Sequence, residues 1–366
     1  MTSNAPKKTP LYDRHAAAGA KMVDFAGWLM PVQYEGVLAE HSAVRNRAGL
    51  FDVSHMGEIF ITGEDAEKFV DHIITNDVRR ISDGQILYTV MCDDEGRVLD
   101  DLMVYRTSAQ SFLLVVNASN TEKDFNWVKS RAGGWRAVVA DRSADFGMLA
   151  LQGPRAVAVA SKVLTFPETF NHHAFFEAEY EGARAVVSRT GYTGEDGVEI
   201  IVENKAVVRL WDALLEAGKE EGVAPTGLAA RDLLRIEAGY SLYGHELDEN
   251  TDPVSAGLSW VVKPEGREFI GKKALQGVKP TRKRISFVAE GRGIPRQGCK
   301  LFVDEKEAGA VTSGTFSPSL QKPVGIGYIS AEEWSVSKGG RLTVEIRGRR
   351  TPVKVYRPHL KPTNGG

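Results

Sequence analysis

Hydrophobic positions follow two regimes along this chain. From about Thr9 to Lys263, strand-like apolar runs mix with stretches that repeat at helical spacing, without the strict βαβ alternation of a doubly wound sheet. Beyond it, only short apolar runs recur, separated by glycine and proline. The sharpest strand signal surrounds Ser188-Arg-Thr-Gly-Tyr-Thr-Gly-Glu-Asp-Gly-Val-Glu199. Val186 and Val187 lead in and Ile200, Ile201 and Val202 lead out, which predicts a strand, a tight Gly-rich connection and a second strand. In that second strand Glu199 shares a face with Ile201, whereas Val198, Ile200 and Val202 share the other. Tyr88–Cys92 and Val98–Tyr105 flank Asp93-Asp-Glu-Gly96 and predict a β-hairpin.

Two helices are predicted. One carries Val207, Val208, Trp211, Leu214 and Leu215, with Asn204 as its N-cap and Gly218 near its end. The other covers Leu228 to Ala238 and stops at Gly239, and Glu221–Gly227 between them reads as a loop. The charged run ending in Lys279-Pro-Thr-Arg-Lys-Arg284 predicts a solvated linker. After it, Ile285-Ser-Phe-Val, Lys300-Leu-Phe-Val, Val324-Gly-Ile-Gly-Tyr-Ile and Leu342-Thr-Val-Glu-Ile predict a small all-β barrel or sandwich of about eighty residues.

Composition narrows the classes. The chain has 366 residues, a formal net charge of −2 and 42% hydrophobic residues, which suits two or three cored domains. A dedicated nucleic-acid binder would carry a basic excess, so no nucleic-acid partner is expected. No apolar run is long enough to cross a bilayer, and no membrane partner is expected. The start, Met-Thr-Ser-Asn-Ala-Pro-Lys-Lys, lacks an apolar h-region and reads as a disordered leader over 1–8. Cys92 and Cys299 stand far apart without a C-x-x-C motif, which fits a reducing cytoplasm.

The candidate chemistry lies in two acidic strands. An acid on an apolar pleat needs donors. For Glu199 these are a neighbouring Arg, or a ligand with two adjacent N–H groups such as the amine edge of a pterin. The Gly-rich loop matches no phosphate-binding pattern, and Glu195 and Asp196 would repel an anion. On the hairpin, Asp100 and Asp101 must point to opposite faces, and periodicity leaves open which one enters a pocket. A calcium loop fails there: Gly96 at loop position six puts Met91 first and Leu102 twelfth. The eight histidines show no metal spacing, so no metal is expected.

The run SRTGYTGEDGVE resembles the signature of the folate-dependent aminomethyltransferases of the glycine cleavage system, the T-protein family. So do Met22-Val-Asp-Phe-Ala-Gly-Trp28, Leu50-Phe-Asp-Val-Ser-His-Met-Gly-Glu58 and Asp248-Glu-Asn-Thr-Asp-Pro253. The resemblance implies an α+β fold. A folate-binding body of mixed strands and helices over 9–263, in two subdomains, would precede a linker over 264–284 and a β-barrel over 285–366. It also implies transfer of a methylene group from an aminomethyl-lipoyl carrier, the H-protein, to tetrahydrofolate, with release of ammonia.

By family position Asp101 is the catalytic acid, expected to be ionised with an ordinary pKa. Glu199 and Arg231 would hold the folate, with Tyr88, Tyr192 and Met56 lining its pocket. Trp260 is a weaker candidate for stacking on the pterin and is expected rather in the core, and His55 as a structural hydrogen-bonder. The tail Tyr356–Lys361 carries no assigned role. An alternative is a non-enzymatic folate-binding factor of iron–sulfur maturation. Its Gly-Cys-Tyr motif is missing from Tyr240-Ser-Leu-Tyr-Gly-His-Glu246. A sarcosine-type dehydrogenase would need a dinucleotide motif that this sequence does not contain.

Overall fold

Two sheets packed face to face organise the body. The computed structural model describes residues 5–336 and 341–358. The first sheet orders its strands Gln85–Cys92, Val98–Ser108, Ser111–Val116, Gly57–Thr62 and Val138–Asp141. The second orders Phe175–Tyr180, Ala183–Ser188, Gly197–Glu203, Phe146–Gln152, Gly49–Asp52 and Ala224–Pro225. Mixed helices and strands thus precede a barrel, as the α+β expectation holds.

Side-chain alternation decides the layers. In Val98–Ser108, Leu102 and Val104 turn outward to a core shared with the helices Ala66–Ile73 and Thr121–Arg131. Tyr105 and Met103 turn inward, and Asp101 shares their face. In Gly197–Glu203, Val198, Ile200 and Val202 pack on the helices Ala156–Val163 and Asn204–Ala217, while Ile201 turns inward. Glu199 therefore faces the gap from one sheet and Asp101 from the other. The inner core between them joins Phe51, Val53, Met148 and Ile201 to Tyr105, Leu113 and Val115.

The hairpin Gln85–Cys92/Val98–Ser108 forms with Tyr88 opposite Met103 and Val90 opposite Asp101. Helix Leu228–Ala238 ends at Gly239, whose φ of 75° suits a residue without a side chain. An added Cβ there would also meet Pro358 at 2.4 Å, so the end of the barrel packs on this helix. Asn204 departs from its expected cap role. It is the first helical residue, and its side-chain amide donates to the Ala144 carbonyl at 2.7 Å.

Two boundaries differ from the sequence expectation. Lys7 and Lys8, placed in a disordered leader, pair in parallel with Trp28 and Leu29; residues 1–4 lie outside the described residues. The segment 264–284 is anchored rather than solvated. Arg267 is buried and donates to Asp71 and to the Thr75 and Ile74 carbonyls, and Phe269, Ile270 and Leu275 are buried beside it. Its partners lie almost two hundred residues upstream, so local composition hides them.

The barrel closes through Arg282–Ala289, Lys322–Ser330, Lys306–Ser317, Lys300–Val303, Leu342–Ile346 and Arg349–Tyr356. Its first strand begins at Arg282, inside the expected linker. Lys306–Ser317 and Arg349–Tyr356 escaped the sequence reading because polar and glycine residues break their apolar runs. The tail beyond Pro358 lies outside the described residues. A buried ion pair ties barrel to body: Arg235 donates to Glu246 at 2.7 Å and to Ser313 of the barrel at 2.6 Å.

Candidate active site

The Gly-rich turn is built around Gln152. Its amide donates to the Thr190 carbonyl at 3.0 Å and its oxygen accepts from Thr193 at 2.9 Å. A Cβ at Gly191 would lie 1.8 Å from that same oxygen, so only glycine admits the contact. The turn thereby sets Thr190 and Tyr192 at the edge of the cleft. Thr190 donates to Glu199 Oε2 at 2.6 Å, and Ser188 links Thr190 (2.8 Å) to Tyr105 (3.1 Å).

No salt bridge joins Glu199 to Arg231. Arg231 instead stacks over the Tyr192 ring at 4.8 Å, and its Nη1 has no hydrogen-bond partner among the described residues. Burial lowers the Arg231 pKa, opposed by the charges of Glu199 and Tyr192, so the three form one electrostatic group. Tyr192 also stacks on Tyr240, with centroids 5.7 Å apart, and its hydroxyl donates to the Ser241 carbonyl. Met56 sits in the turn that crosses from one sheet to the other, against the inner core.

Across the cleft, Asp101 accepts from Tyr88 Oη at 2.9 Å and from Asn117 Nδ2 at 3.0 Å. The expectation of an ordinary carboxylate fails. Burial, then the charge of Asp100, push the Asp101 pKa up to about 7 despite those two donors. Asp100 points the opposite way, as alternation requires, and is fully buried. It accepts from Asn117 N at 3.0 Å, Asn117 Nδ2 at 2.8 Å and Asn120 Nδ2 at 2.7 Å. One Asn117 amide therefore touches both acids.

Trp260 is not in the core. It is 56% exposed and stacks on Tyr88, centroids 5.7 Å apart and planes 22° from parallel. The short 3-10 turn Ser259–Val261 buries Val261 and leaves the indole outside. His55 is also not the expected hydrogen-bonder at Nδ1, which has no partner among the described residues. Burial drives its pKa down to about 4, so the ring is neutral, beneath the Phe25 edge at 5.7 Å.

Tyr88 and Asp101 are in direct contact, and Glu199, Arg231 and Tyr192 cluster opposite. Sequence reasoning missed Asn117, Asn120 and Thr190. A signal existed for the first two: Asn117-Ala-Ser-Asn120 abruptly ends the apolar run Phe112–Val116. Among the described residues no group of three or more His, Cys, Asp or Glu is placed to hold a metal ion. No helix among them is long and apolar enough to cross a membrane.

Two facing sheets that turn Glu199 and Asp101 to the same side, followed by a closed six-stranded barrel, define a two-part α+β class rather than a nucleotide fold. Residues 11–266 match the family model "GCVT N-terminal domain", and 282–360 match "Glycine cleavage T-protein C-terminal barrel domain". An aminomethyltransferase of Chlorobium luteolum is 51% identical over 353 residues, covering 94% of this chain and 96% of that one. Another, of Desulfitobacterium hafniense, is 48% identical, covering 95% and 96%. The crystal structure of the glycine cleavage system aminomethyltransferase T from Bartonella henselae superposes with a TM-score of 0.88. It is 38% identical and covers 96% of this chain and 97% of that one.

The chain belongs to the glycine cleavage T-protein family, and it is an aminomethyltransferase. A non-enzymatic iron–sulfur maturation factor is not favoured, since these relatives carry the transferase name.

Proposed function

We propose that the cleft takes tetrahydrofolate, with the amine edge of its pteridine on Glu199 and its one-carbon nitrogens facing Asp101. The carrying observation is that the two acids face the same gap from opposite sheets. Glu199 has one side-chain donor, Thr190, and so keeps acceptor capacity for a ring N–H and an exocyclic amine. Arg231, with an unpartnered Nη1 beside this acid, would donate to the neighbouring pteridine oxygen. Tyr192, Tyr88 and Met56 supply the walls.

The aminomethyl group would arrive on the lipoyl arm of a carrier protein. Ammonia leaves, the carrier sulfur is released as a thiol, and the methylene joins the folate nitrogens to give 5,10-methylenetetrahydrofolate. The path passes through positive charge at the one-carbon unit. A fixed carboxylate at Asp101 stabilises that charge, and Tyr88 and Asn117 hold it in place beforehand. A proton affinity near neutrality also suits Asp101 to exchange a proton with a folate nitrogen. We place the reaction in the cytoplasm, where Cys92 and Cys299 would stay reduced; both are free.

The test is ammonia release from an aminomethylated lipoyl carrier, with and without tetrahydrofolate. Folate-dependent release together with methylenetetrahydrofolate supports the reading. Equal release in both conditions overturns it.

A further inference from the structure

Asp124 takes no part in the site as described. It lies in the first turns of the helix Thr121–Arg131, wholly shielded from solvent. Among the described residues neither of its carboxyl oxygens has a hydrogen-bond partner. An ionised carboxylate in that position would bear a desolvation penalty of several kcal/mol with nothing to offset it.

Burial first, then Asp100 beside it, raises the Asp124 pKa to about 11; Asp101 adds to this and Lys123 opposes it. Lys123 does not neutralise it. That ammonium is engaged by the Leu99 carbonyl at 2.7 Å, the Tyr243 hydroxyl at 3.0 Å and Glu249 at 3.1 Å. Two carboxyls in one buried site do not both ionise, so donors decide which keeps the charge. Asp100 collects three N–H donors and Asp124 none. The charge belongs on Asp100 and the proton on Asp124.

We propose that Asp124 is a positioning residue for the transfer. It holds a proton against Asp100, and the ionised Asp100 fixes the Asn117 amide that also binds Asp101. The inference rests on the reading of Asp101 as the acid facing the one-carbon unit. Its consequence is electrostatic as well as geometric. A permanent charge at Asp100 opposes ionisation of Asp101, on which Tyr88 and Tyr192 also bear. Without the Asp124 head Asp100 loses a partner, the Asn117 amide it anchors is held less firmly, and Asp101, short of that donor, ionises at higher pH.

Infrared spectra of the full chain with carbon-13 in its aspartate carboxyls test the proton directly. We expect a protonated-carboxyl band at about pH 9, above the titration of Asp101, in the wild type and in Asp101→Asn, and its loss at that pH in Asp124→Asn. A band that survives in Asp124→Asn, or its absence from the wild type, overturns the proposal.

The pH profile of ammonia release tests the coupling. Asparagine keeps a neutral polar head, so Asp124→Asn leaves the midpoint of the Asp101 limb in place. Asp124→Leu removes that head, loosens Asn117 and shifts the midpoint up by about one unit. Equal shifts in both variants, or none in the leucine variant, contradict the coupling. Should Asp124→Leu fail to fold, the band and the asparagine profile still decide. Full activity in Asp101→Asn would instead remove the reading of Asp101, while the infrared band would still report on Asp124.

Discussion

Two buried charge clusters in this protein are built on opposite rules. At the barrel junction, Arg235 and Glu246 are 1% exposed and fully partnered. Glu246 accepts from Arg235, from the Leu242 amide at 2.9 Å and from the Thr312 hydroxyl, and its pKa is lowered. In the cleft, Asp101 sits beside Asp100 with no cation against it, and its pKa is raised. Satisfied charge holds two domains in register. Like charges forced together, with no cation beside them among the described residues, are where the proposed folate site lies.

Breaking the satisfied cluster should produce the largest effect. Arg235→Met leaves the Glu246 charge buried without its cation, and should cost about 3–5 kcal/mol in urea unfolding. A loss well under that range would mean water reaches the junction. Next, Asp101→Asn should lower turnover at saturating folate by about 10²–10³-fold, while the urea midpoint holds or rises. A stability loss matching that of Arg235→Met would return Asp101 to a structural role.

The two clusters should also respond to pH with opposite sign. Glu246 is held below its ordinary value, so its contribution is present above the ordinary carboxylate range and is lost as acid carries the pH through the lowered value. Asp101 binds its proton more tightly folded than unfolded. It therefore weakens the fold as pH climbs from the ordinary range toward about 7. Urea midpoints at mildly acidic and neutral pH should fall with rising pH by less in Asp101→Asn than in the wild type. An unchanged difference would show that Asp101 ionises freely.

The smallest effect is expected at Thr190. Thr190→Val removes the one side-chain donor to Glu199 and should raise the folate KM about fivefold, with kcat nearly unchanged. A fall in kcat with KM preserved would place the hydroxyl in the chemistry instead.

Much of this contrast was legible from residues that are close in sequence. Period-two alternation placed Glu199 on one face with Ile201, and the Asp93–Gly96 turn fixed the hairpin that carries Asp101. The helix ending at Gly239 was equally local. What stayed hidden depends on distant partners. Arg267 looked like linker charge because Asp71 lies far upstream in the chain. Asp101 looked like an ordinary acid, since only the folded sheet brings Asn117 and buries Asp100 beside it. Trp260 looked like core because its apolar neighbours are buried, whereas its own ring turns out over Tyr88. Alternation could separate Asp100 from Asp101 but could not say which faced the cleft; the opposing sheet settles that.

A crystal structure with tetrahydrofolate bound tests the central claim most directly. The account predicts the pteridine amine edge within hydrogen-bonding distance of Glu199 and the one-carbon nitrogens turned toward Asp101. Folate seated on the barrel, or away from both carboxylates, would contradict it.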